Sequence, residues 1–186
     1  MNGIVIKASR PRLDAILARH ADAIGGDLPG YRNHVHRTVT YAMHFLGGDP
    51  AVEPVVETAL AYHDVGLWTD GALAYLEPSE AVALVDNERF GWGFDPEVLR
   101  GIIHWHHKIL PYRGPHAAVI ESCRKADWID ASMGWLRKGM PRRAIRAVEA
   151  AFPNEGFHAA LVRLAKDLGG STIGGGVKVV RGIVKW

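Results

Sequence analysis

The sequence contains a single cysteine, Cys123, so no disulfide can form within the chain. One cysteine fits a reducing compartment, and we expect a cytoplasmic protein. The sequence also lacks a run of about 18 apolar residues, the length that a membrane-spanning helix requires. Residues 1–12 lack the apolar centre of a signal peptide. We therefore expect neither a membrane segment nor a secretory leader.

The chain has little excess charge of either sign. Its 22 lysines and arginines nearly balance its 20 aspartates and glutamates, which gives a formal net charge of +2 at pH 7. This balance does not favour nucleic-acid binding, and we expect no nucleic-acid partner. With 186 residues, of which 48% are hydrophobic and 23% charged, the chain has the composition of one globular domain.

The apolar pattern is mostly helical and predicts an all-α domain over residues 1–168. Apolar residues recur at intervals of three and four, and glycine or proline stands near the ends of the segments. The predicted helices cover residues 11–24, 31–46, 49–64, 78–90, 96–108, 117–136, 141–151 and 155–168. Residues 169–186 are expected to form a glycine-rich linker and a short extended C-terminal arm, which could be a strand.

Histidine is unusually frequent, with ten residues in the chain. His63 and Asp64 end an apolar helical segment, where a buried aspartate is costly unless it is paired or binds a metal. His34 stands upstream of this pair and Asp127 downstream, each in a helical segment with apolar neighbours. Two imidazoles and two carboxylates are suitable ligands for a divalent metal.

The order of these residues resembles the HD-domain superfamily of metal-dependent phosphohydrolases. The resemblance covers about residues 31–132 and rests on three segments: His34-x-x-Arg37, Tyr62-His63-Asp64-Val65-Gly66 and Asp127-x-x-Asp130. It implies a bundle of five or more helices with a metal between them. By position, the metal ligands that it implies are His34, His63, Asp64 and Asp127.

Two-metal members of this family carry additional histidines between the His-Asp pair and the last aspartate. No histidine occurs from Asp64 to Ile103, which leaves His104, His106 and His107 as candidates. His104 and His107 share a helix face, which adds one or two ligands but no complete second site. We therefore expect one divalent transition metal (Zn, Mn, Fe, Co or Ni) and place a di-iron oxygenase last among the alternatives.

Several further residues are expected to act in catalysis. Lys108 and Arg113 suit a substrate phosphate, and equally suit the dipole at a helix C-terminus. His107 is expected to be a general acid or a substrate contact. Asp130 is expected to orient a ligand or to bind the metal water, or alternatively to pair with Lys125, Arg124 or Arg137. Arg37 is expected to brace the site.

The source of the catalytic proton is left open by the sequence. Asp64 or Asp127 is expected to accept the proton of the attacking water while it holds the ion. Mononuclear nucleotidases of this family are expected to have an acidic residue shortly after the His-Asp pair. Here the first carboxylates after that pair are the more distant Asp70 and Glu77, so both are weak candidates.

The resemblance implies a metal-dependent hydrolase that acts on a small phosphate ester such as a nucleotide. The family also includes a cyanamide hydratase, so hydration of a small uncharged substrate is the main alternative. A non-catalytic binding module is a third hypothesis. The expected partner is a small-molecule substrate, and a homodimer through the apolar helices or the C-terminal arm is compatible with the sequence.

Overall fold

The computed structural model describes residues 3–169 together with Val177. All regular elements in this part of the chain are helical, and no strand occurs in it. The all-α prediction is therefore confirmed for the described residues. Of the expected glycine-rich linker and C-terminal arm, only Gly169 and Val177 are described, and Gly169 is the last residue of α10 rather than the first of the linker. The other residues of that stretch lie outside the described residues.

The helices follow one another with short connections. In chain order the elements are α1 (Pro11–Arg19), α2 (Ala21–Ile24), a 3-10 turn (Gly25–Asp27), α3 (Leu28–Phe45), α4 (Glu53–Tyr62), α5 (Gly66–Thr69), α6 (Leu76–Arg89), α7 (Pro96–Trp105), α8 (Ala117–Ala131), α9 (Arg142–Ala151) and α10 (Phe157–Gly169).

Two helix boundaries in the first half differ from the prediction for identifiable reasons. The helix expected over residues 11–24 is divided at His20 into α1 and α2. The loop expected around Pro29 is instead the first turn of α3. A proline is tolerated there because the first backbone amides of a helix have no partner within the helix.

The long helix α3 lies at the centre of the fold. It packs along α8, and α4 packs against α1, α3 and α7. Completely buried apolar side chains fill the interfaces, among them Val35, Val39, Leu60, Ile103 and Ile129. Because α3, α4, α7 and α8 share this core, polar side chains on their inner faces or ends are brought together.

The segment before α1 is attached to α4 by buried charge. The side chain of Arg10 is only 1% exposed and contacts the carboxylates of Glu53 and Glu57 at 2.7 Å each. Lys7 adds a contact of 2.6 Å with Glu53. A buried guanidinium is tolerated only where carboxylates pair with it, so these contacts fix the N-terminal segment on α4.

The sequence pattern predicts that Gly66 ends the third helix. In the structure that helix, α4, already ends at Tyr62. Gly66 is instead the first residue of α5. A Cβ atom at Gly66 would lie 2.3 Å from the carbonyl oxygen of Tyr75 and 2.9 Å from Oγ of Ser79. The residue is therefore a packing requirement, and it allows the start of α6 to approach the His-Asp segment.

Candidate metal centre

Four helices bring five potential metal ligands to one buried point. His34 lies on α3 and Asp127 on α8, while His63 and Asp64 follow the last residue of α4. His106 follows the last residue of α7 in the same way. Two overlapping groups, His34–His63–Asp127 and His63–Asp64–His106, each have ligand atoms within 4.8 Å of one another. Both groups contain His63, so they form one continuous cluster.

The imidazole Nε2 atoms are the nitrogens that converge. Nε2 of His34 lies 3.0 Å from Nε2 of His63. An Asp127 carboxylate oxygen lies 3.6 Å from Nε2 of His34 and 3.7 Å from that of His63. The Asp64 carboxylate lies 3.3 Å from Nε2 of His63 and 3.4 Å from Nε2 of His106. One cation placed among these atoms could contact both imidazoles and carboxylates.

The other nitrogen of each imidazole is engaged by an oxygen that can only accept a hydrogen bond. Nδ1 of His34 donates to the Asp130 carboxylate at 2.7 Å. Nδ1 of His63 donates to the carbonyl of Leu60, and Nδ1 of His106 to that of Ile103, both at 2.6 Å. Since Nδ1 carries the proton, a neutral ring presents its Nε2 lone pair to the cluster. This is the arrangement found in histidines that bind metals.

Without a cation, the close approach of two Nε2 atoms requires a shared proton. Burial lowers the pKa of His34. Burial also acts to lower the pKa of His63, but the Asp64 and Asp127 carboxylates outweigh it and raise this pKa to about 10. A proton on Nε2 of His63 therefore fills the position that a metal ion would take, and metal binding would release it.

The Asp64 carboxylate remains ionised in this buried setting. Burial alone would raise its pKa, but the imidazoles of His63 and His106 hold the pKa well below its usual value. The backbone amide of Asp64 also donates to the hydroxyl of Tyr31, at 3.3 Å. A charged carboxylate at this position is suited to binding a cation.

Asp130 and Arg37 form a supporting pair behind His34. Arg37 donates from Nε and Nη2 to the Asp130 carboxylate, the latter at 2.8 Å, and from Nη1 to the carbonyl of Phe152 at 2.9 Å. Burial acts to raise the pKa of Asp130, but its bonds to Arg37 and His34 hold this pKa far below the usual range. Asp130 thus orients His34, and its cation partner is Arg37 rather than Lys125, Arg124 or Arg137.

Tyr75, which lies in the irregular stretch after the His-Asp pair, is a residue of the site for which the sequence predicted no role. Its hydroxyl lies 3.2 Å from Nε2 of His106 and 3.0 Å from Nδ1 of His107. When the proton of a neutral His106 ring is on Nδ1, the Tyr75 hydroxyl can donate to Nε2 of His106 and accept from Nδ1 of His107. Gly66 permits this placement through its close contact with the Tyr75 backbone.

His107 is a member of the site, but its chemistry differs from a general acid. Burial and the neighbouring His106 lower the pKa of His107 to about 3. The ring is therefore neutral at pH 7, which favours a substrate contact. Its Nε2 atom is buried and has no hydrogen-bond partner among residues 3–169.

Aromatic rings enclose the imidazoles on the other side. Phe157, from the start of α10, stacks on His34 with a ring-centroid distance of 4.1 Å. Tyr31 lies within 6.1 Å of the rings of both His34 and His63 and contacts Trp68 at 4.8 Å. This wall excludes water from one face of the cluster and strengthens its electrostatic interactions.

Of the cations and acids that the sequence suggested for catalysis, only Lys108 lies beside a residue of the site. Lys108 is buried and close enough to His107 to contribute to its low pKa. Arg113 is exposed and has no hydrogen bond or ion pair with other described residues, so the structure does not bring it to the cluster. Asp70 and Glu77 are also exposed, and neither contacts a ligand among the described residues.

The sequence suggested His106 only as one of three candidate histidines, together with His104 and His107. What distinguishes His106 is that it follows the end of its helix in the same way as His63. Each is the residue directly after an apolar helix, each has helical backbone angles, and each donates Nδ1–H to the carbonyl three residues earlier. By contrast, His36 faces away and pairs with Asp14 at 3.1 Å.

None of the helices within the described residues is both long enough and apolar enough to cross a membrane. No family model, no curated protein and no solved structure matches the chain.

Proposed function

We propose that this chain is a metal-dependent hydrolase that cleaves a small phosphate ester, such as a nucleotide, as the resemblance to HD-domain phosphohydrolases implies. A divalent ion, when bound, supplies a water of lowered pKa and polarises the phosphoryl oxygen. The ligands in this proposal are His34, His63, Asp64 and Asp127, and we add His106 to them.

One observation carries the proposal. Three buried imidazoles have Nδ1 engaged by an acceptor and point Nε2 toward two buried carboxylates. Nε2 of His34 and Nε2 of His63 face each other at 3.0 Å, so one of them must hold a proton unless a cation binds both. A shared cation is the simplest partner for both lone pairs.

The remaining roles follow from which groups face the cluster. Asp127 or Asp64 accepts the proton of the attacking water at a carboxylate oxygen. With an ion bound at Nε2 of His106, the Tyr75 hydroxyl would no longer donate to that nitrogen and would instead donate to a substrate oxygen beside it. Lys108 contributes the buried positive charge that a phosphate requires.

Metal binding is tested with two buried aspartates that differ only in location. Asp127 belongs to the cluster, whereas Asp86 accepts hydrogen bonds from Tyr62 and Arg19. We expect about one equivalent of a transition metal in the wild type and in the Asp86→Asn variant, measured by elemental mass spectrometry, and almost none in Asp127→Asn. Equal metal content in both variants, or no uptake by the wild type from added Zn²⁺ or Mn²⁺, would contradict the proposal.

Hydrolysis is tested with the metal-loaded protein on a panel of nucleotides and other phosphate monoesters. We expect Asp64→Ala to abolish turnover while its circular dichroism spectrum remains that of the wild type. A folded Asp64→Ala protein that keeps its turnover would refute the mechanism. If the metal-loaded wild type hydrolyses no member of the panel, the phosphohydrolase proposal is wrong. A hydratase or a non-catalytic binding module would then be the remaining hypotheses.

A second candidate, hydration of a small uncharged substrate, is favoured by the surroundings of the cluster. Arg37 is occupied by Asp130, Arg113 is exposed, and the walls are aromatic. A Lys108→Met variant, which keeps the apolar stem, separates the two candidates. Its phosphatase activity should fall at least about tenfold if Lys108 binds phosphate, whereas hydration of cyanamide should change little.

A further inference from the structure

A second concave site lies outside the metal centre. It has a volume of about 350 Å³ and lies between α9 and the segment that follows α8. Arg137, Arg142 and Arg146 line it together with Trp135 and Glu149. We refer to it as the basic cavity.

The basic cavity has an excess of positive charge that the described residues do not neutralise. Three guanidinium groups face one carboxylate, that of Glu149. None of the three arginines forms an ion pair or a side-chain hydrogen bond with residues 3–169. Guanidinium groups that share a concave surface repel one another, so an anion bound between them would be stabilised.

The residues that follow Gly169 in this sequence have no acidic side chain. Residues 170–186 contain two lysines and one arginine and no aspartate or glutamate side chain. Side chains of this composition do not complement three arginines. A ligand from outside the chain is therefore the better match.

The segment beside α9 presents an aromatic ring to solvent. The residue Trp135 is 84% exposed, the largest exposed fraction among the large hydrophobic residues of the described part. Met133 and Lys138, on either side, have positive φ angles of 52° and 48°, a conformation that costs energy for residues other than glycine. The structure thus holds a large apolar ring in water beside three cations.

We propose that the basic cavity binds a phosphorylated aromatic small molecule of the nucleotide class. Planar guanidinium groups form paired hydrogen bonds with phosphate oxygens, and an exposed indole offers a face for a base to stack on. The volume is within the range of about 300–1,000 Å³ for small-molecule sites. This site is independent of the proposed hydrolase activity.

The test is calorimetric titration of ADP into the full chain with EDTA present, so that the metal centre does not contribute. We expect one ADP per chain, bound at least about tenfold more weakly by Arg142→Ala and by Arg146→Ala, since each removes a charge-assisted contact. Arg143→Ala is the matched control, because Arg143 is an exposed arginine of α9 that does not line the cavity. Its affinity should equal that of the wild type.

Titrations of two further variants and of a second ligand distinguish binding in the basic cavity from binding elsewhere on the chain. Trp135→Ala should weaken ADP binding but leave the weaker binding of inorganic phosphate unchanged. Asp127→Asn should bind ADP like the wild type, because the site is separate from the metal ligands. The proposal would be overturned by no binding of ADP, by equal weakening in Arg143→Ala, by loss of binding in Asp127→Asn, or by tighter binding of single-stranded DNA than of ADP.

Discussion

The two nitrogens of each imidazole at the candidate metal centre have different partners. In His34 a carboxylate receives Nδ1–H, whereas in His63 and His106 a backbone carbonyl does so. A carboxylate increases the basicity of the ring more than a carbonyl does, and its own position depends on further partners. His34 is therefore the ligand whose orientation depends most on other side chains.

Replacement of Asp130 tests this dependence. We expect Asp130→Ala to weaken Zn²⁺ binding by about 10- to 100-fold because His34 loses its acceptor. The same change should reduce the free energy of unfolding by about 3 kcal/mol, because Arg37 stays buried without its carboxylate. Asp130→Asn keeps an acceptor oxygen for His34 and should bind Zn²⁺ more tightly than Asp130→Ala. Competition with a chromogenic chelator measures the affinities, and unchanged binding by Asp130→Ala would contradict the role.

The chain offers a matched control for that experiment. Asp14 also accepts from a histidine and an arginine, His36 at 3.1 Å and Arg32 at 2.8 Å, but away from the cluster. Asp14→Ala should leave the Zn²⁺ affinity unchanged. A similar loss in both variants would mean that the effect is general destabilisation.

Removal of the Tyr75 hydroxyl tests its proposed contact with substrate. We expect Tyr75→Phe to retain its metal and to lower kcat by about 10- to 100-fold, since the change removes one hydrogen-bond donor from the reaction. Tyr41→Phe is the control, because the Tyr41 hydroxyl is buried without a hydrogen bond in the described part of the chain. A change in KM alone in Tyr75→Phe would assign the hydroxyl to binding, and no change would exclude the contact.

At the scale of elements, the centre is built largely from the ends of helices. His63–Asp64 and His106 come directly after α4 and α7, whereas His34 and Asp127 lie inside α3 and α8. Adjacent residues within a helix point about 100° apart, so they cannot both face one ion easily. After Tyr62 the backbone tightens, because the amide of Val65 bonds to the carbonyl of Tyr62, only three residues earlier, and His63 and Asp64 reach the same point.

Substitution of Gly66 tests how closely α5 and the start of α6 must approach each other. We expect Gly66→Ala to lower the free energy of unfolding by about 2 kcal/mol, because the new methyl group would overlap the Tyr75 carbonyl. Gly26→Ala is the control, since its Cβ would meet nothing within 4 Å and its φ is not positive. Urea denaturation compares the two. Equal stability of both variants would show that α5 and α6 separate without cost.

At the scale of the whole molecule, charge pairs join distant parts of the chain. Partial burial acts to raise the pKa of Glu53, but Lys7 and Arg10 outweigh it and the net shift is downward. A carboxyl whose pKa is lower in the folded than in the unfolded protein stabilises the fold above the unfolded pKa. This stabilisation is lost as the pH falls through the folded value.

The acid stability of a Glu53→Gln variant tests this link. At pH 7 we expect the variant to be less stable than the wild type by about 1–3 kcal/mol, because buried Arg10 loses one of its two carboxylates. The difference should shrink below about pH 4.5, the ordinary pKa of glutamate, as the wild-type carboxyl is protonated. Thermal unfolding between pH 3 and pH 7 measures it. Exposed Glu88 provides the control variant Glu88→Gln, and a difference independent of pH would contradict the prediction.

The sequence by itself determined the helical class and the residue types of the centre. Both depend on local features: apolar residues repeat with the period of a helix, and His63–Asp64 ends such a segment. The set His34, His63, Asp64 and Asp127 could be predicted as candidate ligands because their order resembles that of a known family, and the structure places all four in one cluster.

Only the tertiary structure decided which neighbouring groups complete the centre. The choice of His106 as ligand candidate over His107 depends on how the chain leaves α7, and Tyr75 enters through the packing of α6 on α5. The pairing of Asp130 with His34 joins residues 96 positions apart. Such contacts depend on the rotation and separation of packed helices, which the local pattern of a sequence does not determine.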